Sequence, residues 1–268
     1  MPRASRRCAS RSLGSDGDDP GTRPCQRAVL GLESTLRCLL LRACREVCAL
    51  IGPNGAGKST LFNVITGYVA PSDGTVRFDG RDITGRPPHA LASAGMRRTF
   101  QNGGIFGNMT VLENILLGLD ARSPSGVFGV TFRAPSASRV ERAVRKEAEA
   151  LVAMMGLSAL ADREARDLSA GQQRLVEITR ALAAHTRLLL LDEPAVGLSA
   201  NERTHLMKVL RDLAADGIAV MLVEHAIDLV MAVSDRIVVL NYGEVIADGT
   251  PGEIRAHPAV LEAYLGAA

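Results

Sequence analysis

The sequence predicts an α/β fold with a mainly parallel sheet built around one phosphate-binding loop. From residue 46 onward, short apolar runs alternate with amphipathic segments, as in a parallel sheet covered by helices. The apolar run 47–51 ends in a Gly-x-x-x-x-Gly-Lys-Ser motif, the pattern of a phosphate-cradling loop. A second apolar run, 188–191, ends in two carboxylates. Because parallel strands share one carboxyl edge, these features are expected to meet there.

Composition is that of a globular chain without a membrane span. Of the 268 residues, 47% are hydrophobic and 22% are charged, which argues against disorder. No apolar run approaches the roughly 20 residues that a bilayer span needs. The Arg-rich start lacks the apolar core of a secretory signal, so we expect a cytosolic protein. A net charge of +2 gives no indication of a nucleic-acid partner.

Residues 1–45 differ in composition from the rest of the chain. They contain nine arginines and four acidic residues, and no aromatic residue precedes Phe62. All five cysteines lie in the first 48 residues, at spacings that do not favour a zinc site: Cys8, Cys25, Cys38, Cys44 and Cys48. We expect this segment to be disordered, or to come from a wrong start or a shifted reading frame joined to an intact gene. The alternative is a genuinely divergent N-terminus.

Secondary structure follows from the apolar pattern and its punctuation. Strands are predicted at 47–51, 75–78, 97–100, 188–191, 218–223 and 237–240. Helices are predicted from the phosphate loop to about residue 68, and at 111–119, 139–155, 169–184, 201–215 and 226–233. A turn is expected at 71–74, a helix cap at 108–110, a loop at 123–138, a hairpin turn at 242–244 and short helices at the end.

The loop 52–60 has the residue types that phosphate binding needs. Glycines allow the backbone to wrap a phosphate, and the amides at the following helix start favour negative charge. Lys58 can reach the β- and γ-phosphates, and the Ser59 hydroxyl can bind Mg²⁺. The expected nucleotide-binding residues are Gly52, Pro53, Asn54, Gly55, Ala56, Gly57, Lys58, Ser59 and Thr60. A Gly-rich turn that matches by accident is the alternative.

Asp192 and Glu193 end the apolar run that starts at Leu188. A hard Mg²⁺ ion needs an oxygen ligand opposite the phosphates, and Asp192 fits that position. Glu193 can polarise an attacking water. A solvated acidic turn after a core strand is the alternative.

Three further polar segments are candidates for the site, and for each of them an ordinary structural or surface role is the alternative. Residues 168–172, Leu-Ser-Ala-Gly-Gln, place a hydroxyl and backbone amides at a helix start, although Ser169 also suits a plain N-cap. Gln101 follows a short strand, where most glutamines are surface residues. His225 follows the strand 218–223, where a lone histidine is more often structural than catalytic.

Together these motifs resemble the ATP-binding-cassette (ABC) ATPases, over about residues 46–268. The matching segments are 52–60, Gln101, 168–172, Asp192 with Glu193, and His225. Segments 98–102, 108–114, 222–225, 241–246 and 263–266 are similar to the ATPase subunits of branched-chain amino acid importers. The resemblance implies a P-loop NTPase (RecA-like) core over 46–100 and 173–241. It also implies a helical signature subdomain over 101–172, a C-terminal tail over 242–268 and an opening antiparallel sheet, here incomplete.

The resemblance also implies roles for individual residues. Lys58 would hold the phosphates of ATP. The implied Mg²⁺ ligands are Ser59, Gln101 and Asp192. The implied catalytic residues are Glu193 as general base, His225 on the γ-phosphate and water, and Gln101 as γ-phosphate sensor near the membrane subunit. The implied contacts to ATP of the opposite protomer are Ser169, Ala170, Gly171 and Gln172. Residues 195–200 would form the loop that follows the general base.

Two departures from the family pattern stand out. Ala170 occupies a position that is usually glycine, which we regard as minor because the importer subgroup varies there. The aromatic residue that stacks on adenine, about 25 residues before the loop, is absent, because that region holds Cys25, Gln26 and Arg27. Loss of such stacking would weaken ATP binding by about ten- to a hundredfold.

The leading hypothesis is an importer ATPase at the inner face of the plasma membrane, with ATP and Mg²⁺ as cofactors. Its partners would be a second ATPase subunit, identical or different, and polytopic permease subunits, with no nucleic acid. A soluble ABC ATPase acting on DNA or ribosomes is the alternative, although such proteins usually carry two cassettes. A third hypothesis is a non-functional product with a damaged N-terminus.

Overall fold

The central strands of the main sheet are buried on both faces, and helices therefore cover both. The computed structural model describes residues 46–99, 104–120 and 135–265, and all of the following strands and helices lie within these ranges. The strands are β1 (Val47–Ile51), β2 (Arg77–Phe78), β3 (Arg81–Asp82), β4 (Met96–Arg98), β5 (Leu188–Asp192), β6 (Ala219–Val223), β7 (Arg236–Asn241) and β8 (Glu244–Gly249). The helices are α1 (Lys58–Ile65), α2 (Pro88–Ser93), α3 (Val111–Asp120), α4 (Pro135–Met154), α5 (Ala170–Leu182), α6 (Ala200–Ala215), α7 (Ile227–Val233), α8 (Pro251–Arg255) and α9 (Pro258–Leu265).

The main sheet has the order β4-β5-β6-β1-β7-β8, and its first five strands are parallel. Only β8 is antiparallel, joined to β7 through the turn at Tyr242 and Gly243 as predicted. A separate antiparallel pair is formed by β2 and β3. The predicted α/β fold with a mainly parallel sheet is confirmed. The carboxyl ends of β1, β5 and β6 lie side by side, which positions the loops that follow them.

Alternate residues of each central strand supply two hydrophobic layers. On β5, Leu189 and Leu191 join the layer formed with helices α3 to α7, whereas Leu188 and Leu190 join the layer beneath α1. All four side chains are fully buried. Helix α1 contributes Phe62 to the second layer. The helix that follows the phosphate loop is therefore fixed to the sheet by its own apolar face.

The first helix is shorter than predicted, because Gly67 ends it. The sequence predicted a helix to about residue 68, but α1 ends at Ile65. Gly67 has φ +75°, and its N–H donates to the Val64 carbonyl oxygen at 3.2 Å, which closes a left-handed cap. A side chain there would meet the Arg86 carbonyl oxygen at 2.2 Å, so only glycine fits.

Other boundaries also differ from the predictions. Helix α4 was predicted to begin at residue 139 but begins at Pro135, because proline is well suited to a first helical turn. The predicted strand 75–78 is reduced to β2, and α2 and β3 were not predicted. Strand β4 covers Met96–Arg98 instead of 97–100, of which residue 100 lies outside the described residues. Residues 1–45 also lie outside them, and the subdomain boundaries stay predictions.

Among the described helices, none combines the length and the apolar character needed to cross a bilayer.

Replacing Leu190 with alanine tests the sheet core. Leu190 lies between β4 and β6 and is fully buried, so Leu190→Ala should lower the free energy of unfolding by about 2–5 kcal/mol. Urea denaturation measures this loss. Leu261→Ala, at a half-exposed position of α9, is the matched control and should cost less than about 0.5 kcal/mol. Equal losses in the two variants would contradict the assigned core.

Candidate functional site

The loop between β1 and α1 presents helix-start amides that no side chain caps. Gly57 is the N-cap residue of α1, with φ +98° and no side-chain cap hydrogen bond. The N-cap residue therefore offers the first-turn amides of α1 no side-chain acceptor. Ser59 and Thr60, in that first turn, are exposed. This arrangement suits an anion such as a phosphate group.

The backbone of this loop is held against the hairpin that joins β7 to β8. Gly52 has φ +154°, and a side chain on it would meet the Leu240 carbonyl oxygen at 2.1 Å. The Gly243 N–H donates to the Ala56 carbonyl oxygen at 2.9 Å. The loop is thus fixed at both ends by close backbone contacts, and Gly52 is needed where β1 meets Leu240.

Lys58 lies across the loop from which it projects. Its Nζ donates hydrogen bonds to the carbonyl oxygens of Gly52 at 2.7 Å and Pro53 at 2.9 Å. Burial lowers the pKa of Lys58, and the negative charge of Glu193 opposes that shift. The amine is therefore already placed at the loop, with a carboxylate of β5's carboxyl end close enough to act on it.

Asp192 ends β5 as a buried carboxylate paired with Arg98. Its Oδ2 lies 3.1 Å from Arg98 Nη2, and both side chains are more than nine-tenths buried. Arg98 also donates from Nη1 to Asn63 Oδ1 at 2.7 Å and to Thr66 Oγ1 at 3.0 Å. The Arg98 guanidinium therefore joins β4 and β5 to the helix of the phosphate loop.

Glu193 and His225 form a pair at the adjoining strand ends. Glu193 Oε1 lies 3.2 Å from His225 Nε2, and both side chains are partly exposed. Glu193 adopts a left-handed backbone conformation, with φ +49°, and its N–H donates to the Val223 carbonyl oxygen at 2.9 Å. A non-glycine residue in this conformation is uncommon and is held here by the neighbouring strand. The structure brings together two residues that the sequence singled out separately.

The segment 168–172 forms the start of α5. Ser169 is its N-cap, and its Oγ accepts the Gln172 N–H at 3.2 Å while Gln172 Oε1 accepts the Ser169 N–H at 3.1 Å. The expectation that Ser169 caps a helix is confirmed. Ser169 and Ala170 are exposed, whereas Gly171 is buried, and a side chain on it would meet the Gly197 carbonyl oxygen at 2.7 Å.

Gln101 lies outside the described residues, so its predicted roles stay predictions. The described residues before it end at Thr99, whose N–H donates to the Leu190 carbonyl oxygen at 3.0 Å.

Two residues of the site were not given a role by sequence reasoning. Arg98 bonds Asp192 across 94 positions of the chain. Glu224 is buried at 4% exposure and accepts backbone hydrogen bonds from the loops after β5 and β6. For Glu224 the available signal was a charged residue directly after the apolar strand β6, which predicts a partner inside the fold, whereas the short strand Met96–Arg98 gave no such signal for Arg98.

Metal binding by protein side chains alone is not indicated. Across 46–99, 104–120 and 135–265, no three His, Cys, Asp or Glu side chains lie close enough to hold an ion. A hydroxyl from Ser59 and one carboxylate from Asp192 suit a Mg²⁺ ion that takes its other ligands from substrate phosphates and water.

Comparison with known proteins identifies the family. Residues 43–196 match the ABC transporter family model, and residues 244–268 match the model of the branched-chain amino acid ATP-binding cassette transporter. The high-affinity branched-chain amino acid transport ATP-binding protein BraF of Pseudomonas aeruginosa is 42% identical over 225 residues, which cover 84% of this chain and 88% of BraF.

Solved structures agree with this result. The crystal structure of the ADP conformation of MJ1267, an ATP-binding cassette of an ABC transporter, is similar at a TM-score of 0.72 and 33% identity, over 89% of this chain and 98% of that one. A dimeric structure of the ATP-binding cassette MJ0796 bound to ADP and Pi is similar at a TM-score of 0.64 and 26% identity, over 84% of this chain and 97% of that one. The chain belongs to the ATP-binding-cassette ATPases of the ABC transporter family.

Proposed function

We propose that this chain is the ATP-hydrolysing subunit of an importer for branched-chain amino acids or a related small solute. One observation carries the chemistry: the phosphate loop, Asp192 and the Glu193–His225 pair meet at one edge of the sheet. The solute class rests on the likeness to BraF, whose described role is high-affinity branched-chain amino acid transport.

ATP would bind with its phosphates in the loop 52–60. The uncapped amides at the start of α1 would donate hydrogen bonds to the phosphate oxygens, and the positive end of the helix would favour their charge. Lys58 would exchange its bonds to the Gly52 and Pro53 carbonyls for bonds to the β- and γ-phosphates. This exchange needs little movement because the amine already lies over the loop.

Mg²⁺ would be held by Ser59 and Asp192, with Gln101 as the further predicted ligand. When bound, the ion would neutralise charge that develops on the phosphates. Ser59 is exposed at the first turn of α1, and Asp192 is fixed through one oxygen by Arg98. The pairing with Arg98 holds this carboxylate at the strand end, where it would supply an oxygen ligand to the ion.

Hydrolysis would use the Glu193–His225 pair. Glu193 would accept a proton from water as the water oxygen forms a bond to the γ-phosphorus. The bond from that phosphorus to the β–γ bridging oxygen breaks, which yields ADP and phosphate. His225 Nε2, 3.2 Å from Glu193 Oε1, would orient the water and the γ-phosphate. The reaction therefore depends on positioning more than on a covalent step.

A complete site would need a second ATPase chain. Ser169 and Ala170 are exposed at the start of α5, where they can meet a partner's nucleotide together with Gly171 and Gln172. The dimeric form of MJ0796 supports this arrangement. We propose two chains, identical or different, with two ATP molecules between them.

A groove next to β4 is the proposed contact for the permease. It encloses about 420 Å³ and is lined by Thr99 and Gly104, the described residues on either side of segment 100–103. Phe106 is half-exposed there, and the Arg180 guanidinium lies over its ring at 5.4 Å. The groove therefore suits a cytoplasmic permease segment that places an apolar side chain against Phe106.

Glu193→Gln tests the proposed hydrolysis. The amide keeps the shape of the carboxyl group but cannot accept the water proton, so kcat should fall by about 10²- to 10⁴-fold while ATP binding persists. Phosphate release measures turnover, and a fluorescent ATP analogue measures binding. Lys58→Ala is the contrasting variant and should lose nucleotide binding. Unchanged turnover in Glu193→Gln would rule out Glu193 as the general base.

Arg98→Met tests the support of Asp192. Removing the guanidinium leaves a buried carboxylate without this partner, which should lower the free energy of unfolding by about 3–5 kcal/mol. Chemical denaturation measures the change. Arg145→Met, which breaks an exposed pair with Glu149, is the matched control and should cost less than about 1 kcal/mol. A small loss in both variants would show that Arg98 does not hold Asp192.

Phe106→Asp tests the proposed permease contact. A carboxylate at this position removes the apolar surface of the groove and would neutralise Arg180, so the amount of co-expressed permease that co-purifies should fall about tenfold or more. Leu261→Asp, at another half-exposed apolar position, is the control and should retain the permease. Equal recovery of permease with both variants would place the contact elsewhere.

A further inference from the structure

Glu224 is a buried carboxylate that lies between two loops: the loop after β5, which carries Glu193, and the loop after β6, which carries His225. It follows β6 directly, precedes His225 and is only 4% exposed. A buried charge at a strand end is costly unless hydrogen-bond donors surround it. The donors here are backbone amides from both loops.

Each Glu224 oxygen accepts an amide of a different loop. Oε1 accepts the N–H of Ala195 at 2.8 Å, in the loop after β5, and Oε2 accepts the N–H of His225 at 3.1 Å. Ala195 lies two residues after Glu193 and is itself buried. One side chain therefore joins the backbone that carries Glu193 to the backbone that carries His225.

This bond completes a fixed frame around Glu193. On one side, the Glu193 N–H donates to the Val223 carbonyl oxygen at 2.9 Å. On the other side, Glu224 holds the Ala195 N–H. Glu193 is thus held in its left-handed conformation, φ +49°, by two successive residues of the β6 end.

We propose that Glu224 is a positioning residue that sets the distance between Glu193 and His225. Both of its carboxylate oxygens accept backbone amides, so it would act through the two loops that carry these amides. Hydrogen bonds to an ionised acceptor are stronger than neutral ones, and the buried setting strengthens them further. The inference rests on the proposed ATP hydrolysis, in which Glu193 and His225 act on the same water.

Glu224→Gln is the main variant. One oxygen becomes an amide nitrogen, which faces a backbone N–H, so one loop loses its acceptor while the side-chain volume is kept. We expect kcat for ATP hydrolysis to fall about tenfold or more, with KM and the Kd of a fluorescent ATP analogue within about twofold of wild type. The split arises because the phosphate loop is not altered.

Two comparisons distinguish positioning from general damage. Glu149→Gln makes the same chemical change at an exposed position of α4 and should retain wild-type kcat. In a double-mutant cycle, Glu224→Gln should cost much less when His225→Ala is already present, because the group that it positions is gone. Additive losses, an unchanged kcat or a loss confined to KM would overturn the proposal.

The experiments distinguish a failure of the proposed ATP hydrolysis from a failure of the role proposed for Glu224. If wild type does not hydrolyse ATP, or if Glu193→Gln turns over normally, the proposed function fails before Glu224 is considered. With an active wild type and an inactive Glu193→Gln, a fully active Glu224→Gln overturns only the present inference.

Hydrogen exchange on the wild-type protein tests the proposal even if Glu224→Gln does not fold. The amides of Ala195 and His225 lie outside strands and helices but should exchange slowly, because both are bonded to a buried carboxylate. Exchange of either amide at the rate of an open loop would overturn the proposal.

Discussion

The common direction of β5, β6 and β1 is the constraint on which the site depends. Val47 pairs with Val220 and Leu188 pairs with Ala219, so the three strands start together and end at one edge. The phosphate loop, the carboxylates and His225 are distant in sequence, yet each follows the carboxyl end of one of these strands. A shift of one residue in β5 would exchange its two buried faces and displace Asp192 from the edge. Core packing on both faces of the sheet therefore also fixes the relative positions of the phosphate loop, the two carboxylates and His225.

Buried ion pairs also stabilise the site, because they hold the loops that follow the strand ends. Arg98 binds Asp192 and donates to Asn63, which connects the carboxylate to the helix of the phosphate loop. Arg174 on α5 pairs with Glu177 at 2.7 Å and also donates to the Asp192 carbonyl oxygen. Each of these side chains would be costly to bury alone, so each fixes its partners. The edge of the sheet consequently has little freedom, although it consists of loops.

Sequence reasoning predicted the features that depend on local pattern. The phosphate loop, the apolar strand that ends at Asp192 and the cap at Ser169 all follow from neighbouring residues, and the structure shows each element at its place. The predicted end of α1 was wrong because Gly67 closes the helix against Arg86. The neighbouring residues do not reveal this contact. The contacts of Arg98 and Glu224 were missed for the same reason, since Arg98 binds Asp192 of β5 and Glu224 binds the Ala195 amide of the loop after β5. Residue types were thus predictable, whereas their pairing required the tertiary fold.

The loop after Glu193 has contacts on two sides, and this bears on how two chains could influence one another. Its first part is bound by Glu224, and its Gly197 carbonyl oxygen lies against Gly171 at the start of α5. In the proposed dimer, the start of α5 meets the nucleotide of the opposite chain. Gly171 has no space for even one further carbon atom beside Gly197, so the start of α5 and this loop are in tight contact. Glu224 bonds the first part of this loop to the His225 amide, so packed atoms and a single carboxylate connect the start of α5 with the Glu193–His225 pair.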